Sequence, residues 1–384
     1  MAMHAGHSNL RETFLYFIRL GFLGFGGPLA LVASMQRDLI EKRRWMTPEE
    51  FVRSFALIKA MPGPVAFQTA VFLGRLRAGW PGAAAAALAL NGPSFAMMIL
   101  FGIFYEQWKD VEISRLFLIG MQASALGVIC ASLKGMAESY WRRPMFWFLA
   151  AVVAVLTAYS PALEPLLILA SGFVAVLAAK KFKRITFSIA PLWLAAQVTL
   201  PSEAALFSLA AAPQLLLLAW YCFKAGAFVF GSGLAIVPMM VHDFVTHLGW
   251  LTREEFMDAL AFGQITPGPV VITATFIGYR SFGFIGALVA TFAVFLAPFI
   301  HMTTWFPRMV NRLARLHWIA PFLVGAIAAV VGAIAATVLQ LSLVLEEKGL
   351  SVPILIGAFA LSVWTRLPVW IVIPASGVLM ALLG

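Results

Sequence analysis

Residues 19–70, RLGFLGFGGPLALVASMQRDLIEKRRWMTPEEFVRSFALIKAMPGPVAFQTA, return 205 positions later as residues 224–275, KAGAFVFGSGLAIVPMMVHDFVTHLGWLTREEFMDALAFGQITPGPVVITAT. Eighteen of the 52 aligned positions are identical, with no gap. Gly21, Phe25, Gly26, Trp45, Thr47, Glu49, Glu50 and Phe51 return as Gly226, Phe230, Gly231, Trp250, Thr252, Glu254, Glu255 and Phe256. Pro62-Gly63-Pro64-Val65 returns as Pro267-Gly268-Pro269-Val270. Duplicated halves whose apolar segments are broken by glycine and proline at equivalent places are the sequence mark of a transporter binding site.

Composition sets the solvent. Hydrophobic residues are 62% of the chain, charged residues 11%, and the mean hydropathy is +0.92. Several runs are long enough to cross a hydrocarbon layer of about 30 Å. Twelve Trp and 33 Phe, some beside charge clusters such as Trp141-Arg142-Arg143, suit interfacial anchoring. The net charge of +10 does not point to nucleic acid, because Lys and Arg sit in short loops between spans, as membrane topology requires. The polar start of the chain lacks a cleavable leader pattern. Cys130 and Cys222 lie in apolar segments without ligand spacing and read as packed thiols; no metal and no cofactor is expected.

The expected fold is an all-α polytopic membrane protein of two homologous halves, residues 1–184 and 214–384, joined by a linker over 185–213. Each half shows six apolar segments. If the second segment of each half enters and returns at its Pro-Gly-Pro, each half has about five spanning helices plus a re-entrant hairpin. The loops with Arg37, Lys42, Arg43 and Arg44, with Arg75 and Arg77, with Lys134, Arg142 and Arg143, and with Lys180–Arg184 then share one side. Arg308, Arg312, Arg315 and Arg366 join them. If every segment crosses, the basic residues spread almost evenly. The basic loop after segment one has a counterpart carrying only Arg253 beside Asp243, Glu254 and Glu255, as expected if the copies face opposite sides. The halves are therefore expected to be inverted. With segment one crossing, both termini lie on the far side.

Local chemistry follows. Thr47 and Thr252, each followed by Glu three residues later, predict capping boxes that launch the hairpins. Gly24-Phe25-Gly26-Gly27-Pro28 and Phe230-Gly231-Ser232-Gly233 predict opened backbone, which at membrane depth must line protein or a wet cavity; close packing through small residues is the structural alternative. Pro64 and Pro269 fit the start of a new half-helix whose unpaired N–H groups point into the membrane, a natural anion site. The expected substrate contacts are Lys59, Pro62, Gly63, Pro64, Gln68 and Thr69 in the first copy. In the second they are Gln264, Thr266, Pro267, Gly268, Pro269 and Thr273. Gly26, Gly27, Gly231 and Gly233, and the intramembrane cations Arg19 and Lys224, complete the set. Asp258 is the acidic candidate for a proton-linked role. His301 has no visible partner.

These motifs, above all Gly263-Gln264-Ile265-Thr266-Pro267-Gly268-Pro269-Val270 and Trp45-Met46-Thr47-Pro48-Glu49-Glu50-Phe51, resemble the chromate ion transporter family of long-chain, two-repeat type across essentially the whole chain. The resemblance implies export of chromate from the bacterial cytoplasm across the inner membrane, driven by the proton motive force. Lys59-Ala60-Met61 before the first Pro-Gly-Pro and Ser232 in the second glycine cluster depart from the pattern. Expected partners are chromate, sulfate as its near-equal in size and charge, the lipid bilayer, and a second copy in a homodimer; nucleic acid is not among them. A sulfate carrier would share the site, and an anion channel would share the helix-terminus filter. A membrane enzyme would need a nucleophile–base pair or metal cluster, which six His and two Cys do not form in the sequence.

Overall fold

The computed structural model describes residues 7–25, 27–179, 214–230, 233–313, 316–365 and 367–384. Gly26, Gly231, Ser232, Arg315, Arg366, the Lys180–Arg184 cluster and the 185–213 linker lie outside them. The described residues form fifteen α-helices. In the first half these are α1 (His7–Leu23), α2 (Gly27–Met35), α3 (Pro48–Ile58), α4 (Val65–Trp108), α5 (Glu112–Ala137), α6 (Pro144–Tyr159) and α7 (Glu164–Ala178). The second half has α8 (Gln214–Ala227), α9 (Val237–Met240), α10 (Arg253–Ile265), α11 (Thr273–Thr303), α12 (Phe306–Leu313), α13 (Ile319–Leu343), α14 (Lys348–Trp364) and α15 (Val369–Leu383). Five helices are long and apolar enough to cross a membrane, and α6, α14 and α15 are shorter apolar helices. Leu88, Phe148, Phe292 and Leu339 stand exposed on the outside, where only lipid makes such a surface favourable.

The re-entrant hairpins are present. Both capping boxes form, with Thr47 accepting from the Glu50 N–H and Thr252 from the Glu255 N–H. Helix α3 has 11 residues, about 16 Å at 1.5 Å per residue, so it reaches only mid-depth. The chain breaks at Pro62–Pro64 and returns along the first part of α4. Arg77 then lies over the Trp45 ring at 5.4 Å and reaches Glu12 at 2.8 Å, the same carboxylate that Arg43 holds at 2.9 Å. Entry and exit therefore share one end of the bundle, here end A.

At Ala78–Gly79 the helix reverses. Gly79 has φ +65°, which only glycine adopts cheaply, and Gly74 lies against Gly82 and Ala86. A straight helix would hold Gly74 and Ala86 about 18 Å apart. The remainder of α4 crosses to end B. The second copy repeats the device at Phe282–Gly283, with Gly283 at φ +62° and Gly278 against Gly286, one residue out of step with the repeat. Its hairpin opens at end B, where Trp250 meets Phe282 at 4.9 Å and Arg280 pairs with both Glu255 and Glu106, the latter at the far end of α4. Helix α11 returns to end A, where the Thr303 carbonyl accepts from Arg75. The two halves are inverted.

Each half grips the other. The α14–α15 pair packs along α5, and the α6–α7 pair along α13. Matched glycines make the grooves: Gly120 and Gly127 lie on the backbone of Ser376 and Leu355, and Gly325 and Gly332 on that of Ser171 and Ala150. Small residues let backbones approach where lipid supplies no hydrophobic drive.

One expectation changes. Helix α1 does not cross. The groove lined by Glu12, Tyr16, Leu20 and Leu23 on α1 is closed by Ser34, Asp38 and Lys42 on the returning segment, so α1 and α2 form a second hairpin open at end A. The opened backbone after Leu23 turns the chain back at mid-depth, which puts Glu12 beside Arg43 instead of across the bilayer from it.

In a variant lacking Cys130 and Cys222, cysteines at Arg11 and Arg44 are expected to label from one side of the membrane and a cysteine at Glu254 from the other. Labelling of Arg11 and Arg44 positions from opposite sides would restore a crossing α1.

Candidate functional site

The four breaks meet at mid-depth. The Gly63 N–H donates to the Val229 carbonyl at 2.6 Å, and the Gly268 N–H donates to the Gly24 carbonyl at 3.3 Å. Gly24 and Val229 are equivalent positions, so each Pro-Gly-Pro is tied to the opened segment of the other half. Both donors need unusual backbone: Gly63 has φ +131° and Gly268 φ +109°. Space is short as well. A Cβ on Gly63 would lie 2.6 Å from Pro298, and one on Gly268 would lie 2.8 Å from the Ser94 hydroxyl.

Beyond each break a half-helix begins. Pro64 is the N-cap of α4 and Pro269 that of a short 3-10 turn, Val270–Ile272, leading into α11; the prolines sit one position earlier than expected. The first amides of α4 precede its first internal bond, Gln68 N–H to Pro64 carbonyl at 2.9 Å. They are buried in residues 65–67. Because the two hairpins enter from opposite ends, their half-helix N-termini both lie at mid-depth and run in opposite directions, and both present partial positive charge.

The surrounding side chains are held in place. Gln68 donates to the Pro62 carbonyl at 2.6 Å, Thr69 to Val65, Thr266 to Gly263 and Thr273 to Val270. All four residues are buried, and the Gln68 amide oxygen has no hydrogen-bond partner among the described atoms. Gly233 packs near Val270 and Val271, whereas a Cβ on Gly27, at φ +84°, would meet nothing within 4 Å.

The charged candidates divide. Lys59 caps α3 at the hairpin tip, exposed, with its ammonium 5.6 Å from the Phe55 ring centre. Its counterpart Gln264 donates to the Ala125 carbonyl at 3.3 Å. Arg19 lines a cleft of about 810 Å³ between α1 and the returning segment, with Arg37, Lys42, Arg43, Asp38 and Glu12. Lys224 does not offer a free charge, because it pairs with Asp243 at 2.8 Å. Asp258 has both oxygens occupied, by the Tyr105 hydroxyl and the Gln122 amide, each at 2.8 Å, and braces α10 to α4 and α5.

Sequence reasoning missed the groups that hold the breaks from across the repeat. Ser94 on α4 donates to the Pro267 carbonyl, and His301 on α11 hydrogen-bonds the Pro62 carbonyl. The available signal was position: Ser94 follows Pro93 and His301 follows Pro298, the matched prolines of the crossing helices. Among the described residues no group of three His, Cys, Asp or Glu side chains could hold a metal ion. The helix-start amides and the Lys59 ammonium are of the kind that suits an oxyanion, whereas the Thr69, Thr266 and Thr273 hydroxyls already donate to backbone carbonyls.

Comparison with known proteins bears on which anion. The profile of a family described as "Chromate transporter" matches residues 11–177 and again 216–382. A chromate transport protein of Cupriavidus metallidurans is 36% identical over 87% of this chain and 82% of its own length. A probable chromate transport protein of Synechococcus elongatus is 35% identical over 88% and 86%, and a chromate transport protein of Pseudomonas aeruginosa 31% identical over 95% and 90%. No solved structure matches the chain.

Gly63→Ala and Gly268→Ala are expected to lower the thermal stability of the solubilised protein clearly, since left-handed backbone costs a side chain about 1–2 kcal/mol and crowding adds roughly 1–3 kcal/mol. Gly92→Ala, in α4 with open space around it, is expected to leave the melting temperature unchanged or raise it slightly. Equal melting of all three variants would mean that the breaks do not constrain the fold.

Proposed function

The chain belongs to the chromate transporter family, and from that membership we propose that it exports chromate from the bacterial cytoplasm by alternating access, with energy from the proton motive force. The observation that carries the reading is the meeting of two inverted half-helix N-termini at mid-depth, each fixed by the other half. Opposed positive helix ends suit a compact dianion, and an inverted pair can expose it to either side in turn. No catalytic nucleophile or enzymatic step is part of this reading.

Direction is supported by charge. The loops at end A carry Arg37, Lys42, Arg43, Arg44, Arg75, Arg77, Arg142 and Arg143. The acids at that end are Glu12, Asp38, Glu41, Glu49, Glu50 and Glu138. End B carries Glu106, Asp110, Glu112, Glu254, Glu255, Glu346 and Glu347 against Lys109, Arg115, Arg253, Arg280 and Lys348. The basic end belongs to the cytoplasm by the positive-inside rule. The two hairpin mouths are opposite in sign: at end A one carboxylate, Glu12, lies between two arginines, Arg43 and Arg77. At end B one guanidinium, Arg280, lies between Glu106 and Glu255. A dianion is drawn to the first mouth and repelled at the second.

Packing asymmetry supports alternation over a fixed channel. Helix α10 lies along α5 and α15 and is buried, whereas its counterpart α3 packs on α4 and the turn at Gln36–Lys42. Met257 is 1% exposed and its equivalent Val52 60%. Two homologous hairpins thus hold different packing environments in one molecule, the one at end A looser and the one at end B more buried. Exchange of the two environments would reverse access.

Lys59 is proposed as the cationic contact at the open tip and Arg19 as part of the entry cleft. Coulomb attraction between Lys59 and a dianion in a partly wet site is about 1–4 kcal/mol. In everted vesicles Lys59→Gln is expected to raise the half-saturating chromate concentration about tenfold, Lys59→Arg to restore part of the affinity, and Arg19→Gln to slow entry with a smaller change. Uptake that resists an uncoupler would refute the proposed energy source. Competition by equimolar sulfate to the same extent as unlabelled chromate would widen the substrate to tetrahedral dianions. Unchanged half-saturation in Lys59→Gln, with loss in Arg19→Gln, would move the contact to the α1–α2 cleft.

A further inference from the structure

Glu164 stands at the start of α7, fully buried, and neither carboxylate oxygen has a hydrogen-bond partner among the described atoms. Its depth follows from its neighbours: Ser171, two turns on, lies on Gly325 of α13, which α7 follows in the opposite direction, so Glu164 is level with the middle of α13. The preceding turn, Pro161–Leu163, packs against the segment Val241–His247 of the other half. The charged groups that act on Glu164 are Asp243 and Lys224. Asp243 is 2% exposed and Lys224 19%, and they are joined at 2.8 Å. Two carboxylates and one ammonium, drawn from both halves, thus share one interior site.

We propose that Glu164, Asp243 and Lys224 form the proton-carrying site of the transporter, a role that rests on the proton-coupled reading above and differs from the substrate contacts. The ligand is one proton, taken up by a carboxylate to give a carboxylic acid. With it, the charges of these three groups sum to zero; without it, they sum to one net negative charge at mid-depth. Such a charge is strongly disfavoured in hydrocarbon surroundings. The two protonation states therefore differ in how well they tolerate a dry, closed site, which is what a coupling site requires.

Other titratable groups lie nearby. Helix α8 also brings the Tyr221 ring, 4.6 Å from the Lys224 ammonium, and the Cys222 thiol, which senses Asp243. The segment Val241–His247 brings His242 and His247, whose rings lie 6.1 Å apart, with His247 6.1 Å from Tyr221. Helices α9 and α13 contain no charged residue, and α6 contains only Tyr159 at its end among titratable side chains. The repeat gives an internal comparison. Arg19 and Asp38 are the equivalents of Lys224 and Asp243, yet Asp38 pairs with Lys42 at 3.0 Å and Arg37 at 3.4 Å at the surface. The position of Glu164 is Val369 in the second half. Among the described residues the buried triad occurs at one site, where α7 supplies the extra acid.

The test uses the full chain in proteoliposomes, with two readouts: chromate accumulation driven by a pH gradient, and chromate counterflow without a gradient. Glu164→Gln is expected to keep counterflow within about threefold of the parent, to lose gradient-driven accumulation down to the uncoupled level, and to lose the dependence of counterflow on pH. Glu164→Asp keeps a titratable group and is expected to retain accumulation with a displaced pH profile. Accumulation in Glu164→Gln equal to the parent overturns the proposal, as does uncoupling by Asp258→Asn in its place. Loss of counterflow together with accumulation in a folded Glu164→Gln also overturns it, making Glu164 structural. If Glu164→Gln does not fold, an unmoved pH profile in Glu164→Asp overturns the proposal and a displaced one supports it. Absence of chromate counterflow in the parent would fail the transport reading itself, whereas parental counterflow indifferent to pH would fail only the proton site.

Discussion

Everything in this molecule hangs on a pair of backbone hydrogen bonds made where the bilayer allows none to be missing. Opening a helix at mid-membrane leaves N–H and C=O groups that hydrocarbon cannot satisfy. Here each half opens twice, and the deficits are complementary. The Gly63 amide is satisfied by Val229 and the Gly268 amide by Gly24, with the adjoining proline carbonyls taken by Ser94, Gln68 and His301. Side chains of the same half, Gln68 and Thr266, hold part of each break, but the Gly63 and Gly268 amides are each answered by the other half. The same crossing brings two helix N-termini to mid-depth from opposite ends, where the proposed site lies.

Inversion gives the site two addresses, and small departures from symmetry make them unequal. The mouths lie at corresponding ends of the two hairpins but draw their charges from different positions, and those charges are opposite in sign. One hairpin is buried against α5 and α15 while the other leaves Val52 and Lys59 exposed. Two homologous hairpins hold both environments in one chain, and the side chains that differ between the copies are what distinguish them. A carrier needs the two environments in balance, and a strongly biased pair would remain shut on one side.

The buried charges fall into the same scheme. Asp258 has both oxygens held, whereas Glu164 has no donor among the described residues and lies within the influence of an ion pair of the other half. Polar groups that the membrane cannot solvate are kept only where they are matched, or where being unmatched in one state has a use.

The repeat, the mid-depth breaks, the capping boxes and the inversion were legible in the sequence, because each rests on local chemistry that survives any packing: glycine and proline open helices, Thr and Glu cap them, and basic residues stay on one side. The conserved offset of 205 residues even matched the glycines of α5 with those of α13. The turning back of α1 was not legible, because an apolar run of that length reads the same whether it crosses or folds at its glycine cluster. Nor were the partners of the breaks. Ser94, His301 and Glu164 are ordinary residues in apolar segments, and their roles depend on which helix of the other half lies opposite. The Lys224 charge looked available in sequence and is taken by Asp243, nineteen residues on, through a hairpin that only the fold closes. Sequence determined where the backbone must open, since that is a property of the residues themselves; tertiary structure decided what each opening meets, since in a membrane an unsatisfied group is answered by whatever protein surface inversion brings against it.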